Sequence, residues 1–293
     1  MRRLGRATHE IARVLYVRVI LALAPLVVCL AFSLEKHFWR GRVPALFWFS
    51  AGLFAVSVFN TPLRVLGALP WLLLTSWRAG RALYEFYRGP KLVTHSLAHL
   101  AALLYLPVGA ICALFDQLAI QPLGFSGIIV LLTGVHFHYA GFALPRLTGL
   151  WLEACSPERL QKAAAWGVIF GVPLVAVGIT TSQLNMPFWI ETGAVSILAA
   201  SAFTVSLGQL RWAVQTELPS LARVLFVMGG LALGLGMVLA TIYGWRHVFP
   251  VSWATIPLMY SFHGTLNSLG FCLPGFVAWR LAGPTAPAPK VPG

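Results

Sequence analysis

Residues 224–245 of this chain are VLFVMGGLALGLGMVLATIYGW, a run of 22 residues without a charged side chain. An α-helix rises about 1.5 Å per residue, so about 20 such residues are enough to cross the hydrocarbon core of a bilayer. The same composition extends through the chain: 58% of its 293 residues are hydrophobic and 10% are charged. Soluble domains carry about 25% charged residues. The sequence therefore predicts a membrane protein and excludes an ordinary soluble domain.

Eight apolar stretches are long enough to cross a bilayer as helices. They are residues 17–34, 43–60, 92–114, 126–145, 164–183, 192–210, 224–245 and 254–279. A ninth stretch, 61–77, is short and contains Pro62, Arg64 and Pro70, so we interpret it as a re-entrant or interfacial helix. The predicted fold is an all-α, polytopic transmembrane helix bundle of about eight spans plus this helix.

Two short segments flank the predicted bundle. Residues 1–16 are basic and amphipathic, and no small-residue cleavage site follows them, so we expect a retained signal anchor. Residues 17–280 form the transmembrane helical bundle. The Pro-rich tail 281–293 is expected to be disordered, because it has no apolar face and its prolines prevent a helix.

Positive charges distinguish two topologies for these spans. If 61–77 lies at the surface, 17 of the 21 Lys and Arg residues fall on the cytoplasmic side; if it crosses, 14 do. Because cytoplasmic loops carry the excess of Lys and Arg, eight crossings with both termini in the cytoplasm are favoured. The same bias accounts for the net charge of +13, and we expect the bilayer, not nucleic acid, as the partner. The expected location is the bacterial cytoplasmic (inner) membrane, as a multi-pass protein.

Histidine is the ionisable residue of the predicted spans. An ionisable group in hydrocarbon needs a partner or a function, and five histidines lie in spans: His95, His99, His136, His138 and His263. His95 and His99 are four residues apart and share a helix face near the cytoplasmic end. His136 and His138 are two residues apart, so on an ideal helix they point about 200° away from each other.

A polar site is predicted near the bilayer midplane. His136 and His263 lie at similar depth, and Asn267 shares a helix face with His263. Gly264 allows another helix or a ligand to approach closely. No carboxylate lies at this depth, so imidazole is left as the group for acid–base chemistry. The alternative is a polar network that fixes helix packing.

The segments HFHYAGF (136–142) and HGTLNSLGF (263–271) resemble the YndJ-like family of bacterial integral membrane proteins. The resemblance covers residues 92–280. It singles out His136, His138, Tyr139, Gly141, His263, Asn267 and Gly270. The family is described as transporter-like, so the resemblance implies transport as one function.

Three functions are compatible with these residues. The first is an intramembrane hydratase, isomerase or cyclase for a lipophilic small molecule, in which His136 and His263 exchange protons while Asn267 and Tyr139 orient an oxygen. Its predicted substrate contacts are His138, His99, His95 and Gly264. The second is a transporter or permease for a small amphipathic compound. The third is a haem or metal-binding redox protein that uses His95, His99 and one midplane histidine; the pattern specifies no cofactor or metal.

Overall fold

The computed structural model describes residues 2–35, 41–89 and 93–283. Within these ranges the chain folds into helices and contains no strand, which confirms the predicted all-α class. The predicted disorder of residues 284–293 lies outside the described residues. The nine helices of the described ranges are α1 (Arg2–Phe32), α2 (Val43–Ser57), α3 (Arg64–Arg88), α4 (Thr94–Gln117), α5 (Gly127–Ala154), α6 (Arg159–Gln183), α7 (Trp189–Gln215), α8 (Ser220–Gly244) and α9 (256–282).

Six of these helices are long and apolar enough to cross a membrane by length and composition: α1 from Ile11 onward, and α4 to α8. Helix α2 is apolar but has only 15 residues. Helix α3 has charged side chains in its second half, and α9 is interrupted by π-helical turns. The structure thus supports a polytopic membrane protein, although the predicted count of eight spans is not confirmed.

Ion pairs define two opposite ends of the bundle. At the first end, which we call the Asp116 end, Arg18 Nη2 lies 3.6 Å from Asp116 Oδ2, and Arg18 Nη1 donates to Val58 O at 3.1 Å. At the second, which we call the Glu35 end, Glu35 accepts hydrogen bonds from Arg78 at 2.9 Å and from Arg146 at 3.1 Å. Each group joins residues that are distant in sequence, so helices α1, α3, α4 and α5 are fixed relative to one another.

The prediction that 61–77 is a separate re-entrant or interfacial helix is not confirmed. Most of this stretch is the first half of α3, a continuous helix of 25 residues. Arg64 at its start lies within electrostatic range of Asp116, and Arg78 contacts Glu35. Helix α3 therefore runs from one end of the bundle to the other, as the nine-crossing alternative requires.

The contacts of helix α1 also disagree with the eight-crossing topology. It placed Arg18 and Asp116 on opposite sides of the membrane, yet they form an ion pair. Helix α1 runs in the same direction as α9, because Tyr16 contacts Thr265 and Ser33 O accepts a hydrogen bond from Arg280 at 3.0 Å. The beginning of α1 and the end of α9 hence lie at opposite ends of the bundle, contrary to the prediction that both termini share one side.

Large aromatic side chains fill the core between α1, α2, α3 and α5. The ring of Phe32 lies 5.1 Å from that of Phe47 and 5.6 Å from that of Phe142, and Trp71 lies 6.3 Å from Phe47. All four side chains are essentially inaccessible to solvent. Large apolar side chains also cover the outside of the bundle, where Phe49 is 71% exposed. This outward apolar surface is what lipid contact requires.

Candidate functional site

The two histidine-containing segments both adopt π-helical turns. Helix α5 changes to π-helix at Phe137–Ala143, and α9 does so at Met259–His263 and Leu266–Cys272. The turns 137–143 and 266–272 pack against each other about half-way along both helices. Because π-turns are rare and occur frequently at functional sites, their coincidence with these segments marks this region of the bundle.

His263 has a defined orientation. Its Nδ1 lies 2.8 Å from the carbonyl oxygen of Gly236 on α8, so Nδ1 carries the proton and donates it. The neutral ring then keeps the lone pair on Nε2. Asn267 Nδ2 donates to the carbonyl oxygen of His263 at 2.7 Å and lies 3.3 Å from His263 Nε2. The second contact is longer than the usual ~2.9–3.0 Å, which leaves Nε2 weakly engaged.

Glycine is needed on α8 where it faces this site. A Cβ at Gly236 would lie 2.8 Å from Asn267 Nδ2 and 3.1 Å from its Oδ1. A Cβ at Gly270 would lie 2.7 Å from the Cβ of Ala232. Small residues thus let α8 and α9 approach closely, which is the usual way in which membrane helices associate.

His136 faces α9. Its Nε2 is buried and has no hydrogen-bond partner among the described residues. The ring lies within electrostatic range of His263. This nitrogen is the unsatisfied polar atom of the site. An unsatisfied buried group in a native structure calls for a water, a ligand or a chemical role.

His138 points the other way and is fully hydrogen-bonded. Its Nδ1 lies 2.7 Å from Gly134 O, and its Nε2 accepts a hydrogen bond from Trp71 Nε1 at 3.0 Å. The residue is 1% exposed. The structure therefore does not place His138 in a substrate site, because neither ring nitrogen is available. Trp71 is a partner that the sequence analysis missed, and no sequence pattern pointed to it.

The hydroxyl of Tyr139, for which a catalytic role was predicted, has a hydrogen-bond partner on another helix. Its hydroxyl donates to Ile20 O on α1 at 2.9 Å, and the side chain is 4% exposed. Gly264 is different: a Cβ there would meet only Met259 O, at 3.8 Å. The space predicted beside His263 is thus present, while Tyr139 serves to hold α1 against α5.

His95 and His99 lie far from the midplane pair. His99 Nε2 is 2.9 Å from Glu153 Oε1 near the Glu35 end, whereas His138 lies against Gly109, further along α4. At about 1.5 Å per residue, His95 and Gly109 are roughly 20 Å apart along the helix. The structure therefore separates His95 and His99 from the site. Among the described residues, no group of three or more His, Cys, Asp or Glu side chains is arranged to hold a metal ion.

A comparison with known proteins decides the family. The sequence profile described as YndJ-like protein matches residues 14–271. The chain belongs to the YndJ-like family. The match begins within α1, so it is wider than the predicted resemblance, which begins at residue 92.

A second comparison gives a relative of this YndJ-like protein. Over 236 residues it is 28% identical to the uncharacterized membrane protein YndJ of Bacillus subtilis (strain 168), and the match covers 79% of this chain and 41% of that protein. The chain thus spans less than half the length of this relative. No solved structure matches the chain.

A hydrogen-bonded chain connects the YndJ-like site to α1. The Tyr16 hydroxyl contacts Thr265 Oγ1, which in turn contacts Ser261 O. Ser261 and Thr265 each lie two residues from His263 in the sequence. Tyr16 belongs to the N-terminal segment that was predicted to precede the bundle, so sequence analysis had no reason to include it. The candidate site therefore consists of His136, His263 and Asn267, with α1 closing one side.

Proposed function

We propose that this YndJ-like protein is an intramembrane enzyme that moves a proton within a lipophilic substrate. The supporting observation is that His136 from α5 and His263 from α9 lie within electrostatic range of each other, and that Nε2 of His136 is buried without a partner among the described residues. The polar atoms of His138 and Tyr139, which lie at the same depth, are already hydrogen-bonded. Imidazole is suited to proton transfer because its reference pKa lies near neutrality.

The proposed roles follow from the hydrogen bonds. With its Nδ1 proton committed to Gly236 O, neutral His263 takes up a substrate proton on Nε2 and returns it at another carbon, so no net proton is gained or lost. His136 donates a hydrogen bond from Nε2 to the substrate oxygen. The Oδ1 of Asn267 is free to accept from a hydroxyl, because Nδ2 is held by His263 O. An isomerase needs only these steps.

A lateral path from lipid is consistent with this proposal. Phe262, next to His263, is 60% exposed, and the first half of α9 is only partly covered by its neighbours. A lipophilic molecule in the bilayer therefore reaches α9 without crossing water. This supports a substrate such as an isoprenoid, a polyketide or a fatty acyl chain.

Deuterium exchange tests the proposal without a known substrate. The purified full chain in lipid nanodiscs is incubated in D₂O with a lipophilic extract of a bacterium that encodes it, and the extract is examined by mass spectrometry. We expect one class of compound to gain deuterium with the wild-type protein, and this gain to disappear in His263→Ala and His136→Ala. His95→Gln is the matched control, because it changes a histidine remote from the site. No gain over protein-free nanodiscs, or a gain unchanged in both alanine variants, contradicts the proposal.

Transport of a small amphipathic compound is the second candidate. It is favoured by the two interrupted helices, α5 and α9, which meet in the middle of the bundle as binding-site helices do in many transporters. Here His136 and His263 would bind the compound without changing it. A compound that gains no deuterium but crosses proteoliposome membranes with the wild type, and not with His263→Ala, favours this function.

The orientation in the membrane is also proposed. Nine crossings with the Glu35 end in the cytoplasm place 14 of 21 Lys and Arg residues there, which agrees with the positive-inside rule. The start of α1 then lies outside and the end of α9 lies inside the bacterial cytoplasmic membrane. Reaction of single cysteines introduced at residues 2 and 283 with an impermeant maleimide on intact cells tests this: only the residue 2 variant is expected to react.

A further inference from the structure

Three helices bring a second set of polar side chains together at the Asp116 end of the bundle. Helix α1 contributes Arg18, α3 contributes Arg64, and α4 contributes Asp116 and Gln117. Asp116 lies 3.6 Å from Arg18 and within electrostatic range of Arg64. This cluster lies apart from the histidine site, and the proposed function does not use it.

Three hydrogen-bond donors of this cluster have no acceptor. They are Nε of Arg18, Nε of Arg64 and Nε2 of Gln117, and all three atoms are buried and unpaired among the described residues. Gln117 is only 5% exposed, and its Oε1 lies 3.5 Å from the hydroxyl of Ser57. Buried donors normally have a partner, so three in one place indicate that an acceptor belongs there.

The three side chains all lie near Ser57, at the end of α2. Ser57 at the end of α2 contacts Gln117 and packs directly against Gly67 on α3. Arg64 lies one helical turn before Gly67, so it reaches the same side of Ser57. Arg18 is fixed beside this group by its hydrogen bond to Val58 O, one residue after Ser57.

The charge of the cluster specifies the acceptor. Two arginines and one aspartate leave one uncompensated positive charge, which matches an anion with a single negative charge. Guanidinium groups and amides bind phosphate oxygens particularly well. Immediately after Arg64, α3 presents an apolar exposed face on which Leu66 is 63% and Leu73 is 61% exposed. A phosphodiester with attached acyl chains fits both features.

We propose that Arg18, Arg64 and Gln117 bind a singly charged phosphate group, the headgroup phosphate of a phospholipid whose acyl chains lie along the exposed apolar face of α3. The position suits this ligand, because helix ends lie near the level of the lipid headgroups. Basic pockets between membrane helices are known to bind anionic headgroups in this way. The proposal is independent of the chemistry at His136 and His263.

Native mass spectrometry of the delipidated full chain tests this site, with phosphatidylglycerol as the probe. We expect Arg64→Gln to weaken binding by about tenfold or more, the effect of losing one charged hydrogen bond. Arg81→Gln is the matched control: it lies on the same helix, has a 59% exposed side chain and is paired with Glu85. It should bind as the wild type does. Gln117→Leu removes a donor without changing charge and should also weaken binding, which guards against misfolding of the arginine variant.

Two further probes identify the source of the phosphate. Diacylglycerol with the same acyl chains lacks the phosphate and should not be retained. If inorganic phosphate binds with the same dependence on Arg64 and phosphatidylglycerol does not bind, the result supports a phosphate site. Its ligand is then a soluble anion and not a lipid. Equal binding of phosphatidylglycerol by wild type, Arg64→Gln and Gln117→Leu overturns the proposal. An equal loss in Arg64→Gln and Arg81→Gln also overturns it, because the effect would then be one of total charge.

Discussion

Replacing Trp71 by phenylalanine tests whether His138 is held as a structural residue. Trp71 is completely buried, and its indole N–H is the donor to His138 Nε2 at 3.0 Å. With Nδ1 occupied by Gly134 O, the variant leaves Nε2 of His138 without a partner. The loss of this hydrogen bond lowers the free energy of unfolding by about 1–2 kcal/mol, because hydrogen bonds between membrane helices are at the low end of the usual range. The smaller ring also leaves a cavity of roughly 40 Å³, worth about 1 kcal/mol.

The expected total for Trp71→Phe is therefore a loss of about 2–3 kcal/mol in the free energy of unfolding. It is measured by titrating SDS into mixed micelles and following helix content by circular dichroism. Trp77→Phe is the matched control on the same helix, because Trp77 is 45% exposed and should lose less than about 1 kcal/mol.

A double-mutant cycle separates the hydrogen bond from the cavity. We combine Trp71→Phe with His138→Phe and expect an interaction energy of about 1 kcal/mol, as for residues in direct contact. An interaction energy near zero would refute the argument. So would a loss in Trp71→Phe no greater than that in Trp77→Phe, because His138 would then be stable without its donor.

Three further predictions concern the site, the Glu35 end and a cysteine. Gly236→Ala should abolish deuterium exchange and cost about 1–3 kcal/mol by displacing Asn267; Gly193→Ala, which meets no neighbouring atom within 4 Å, should be neutral or stabilising in the same assays. Glu35→Gln should lower the free energy of unfolding by about 1–3 kcal/mol, because it leaves two arginines without their carboxylate; an unchanged SDS titration would show that this network is not stabilising. Burial raises the pKa of the Cys155 thiol to about 11, so its alkylation by iodoacetamide, followed by peptide mass spectrometry, should accelerate about tenfold per pH unit from pH 7 to 10. A plateau near pH 9 would contradict this last expectation.

Hydropathy predicted most of the helices because it measures apolar character, which is the property that lipid contact requires of a membrane helix. The predicted span 164–183 falls within α6, which ends at the same residue, and 192–210 falls within α7. Both helices are apolar along most of their length, with few interruptions. Lipid selects for this composition whatever the neighbouring helices are. Such spans are therefore predictable from local sequence alone.

The topology was not predictable from charge counting, because the decisive arginines have partners inside the bundle. Charge counting predicts Arg18 and Arg64 on the cytoplasmic side and Asp116 outside, whereas in the structure both arginines interact with Asp116. A count of charges on loops has no information about such pairs. Their contacts depend on packing between helices that are distant in sequence, so only the structure shows that α3 runs the length of the bundle.

The site was predictable in part. The depth of His136 and His263 in their spans follows from helix rise, and the structure places the two rings within electrostatic range of each other. The separate environments of His136 and His138 also follow from helix geometry. The contacts of His138 and Tyr139 could not be predicted from the sequence, because their partners, Trp71 and Ile20 O, lie on other helices. The π-turns leave no signature in the periodicity of an almost uniformly apolar sequence.

The π-turn of α5 also sets the rotation of the helix beyond it. A π-turn takes in one residue more than an α-turn, so each residue beyond it is offset by about 100° from its place in an uninterrupted α-helix of the same sequence. If Phe137–Ala143 wound as α-helix with no residue removed, Arg146 and Glu153 would turn away from Glu35 and His99. Deleting one of its seven residues would let the segment rewind and keep those contacts. The ionic contacts at the Glu35 end thus depend on the local underwinding of α5 at Phe137–Ala143.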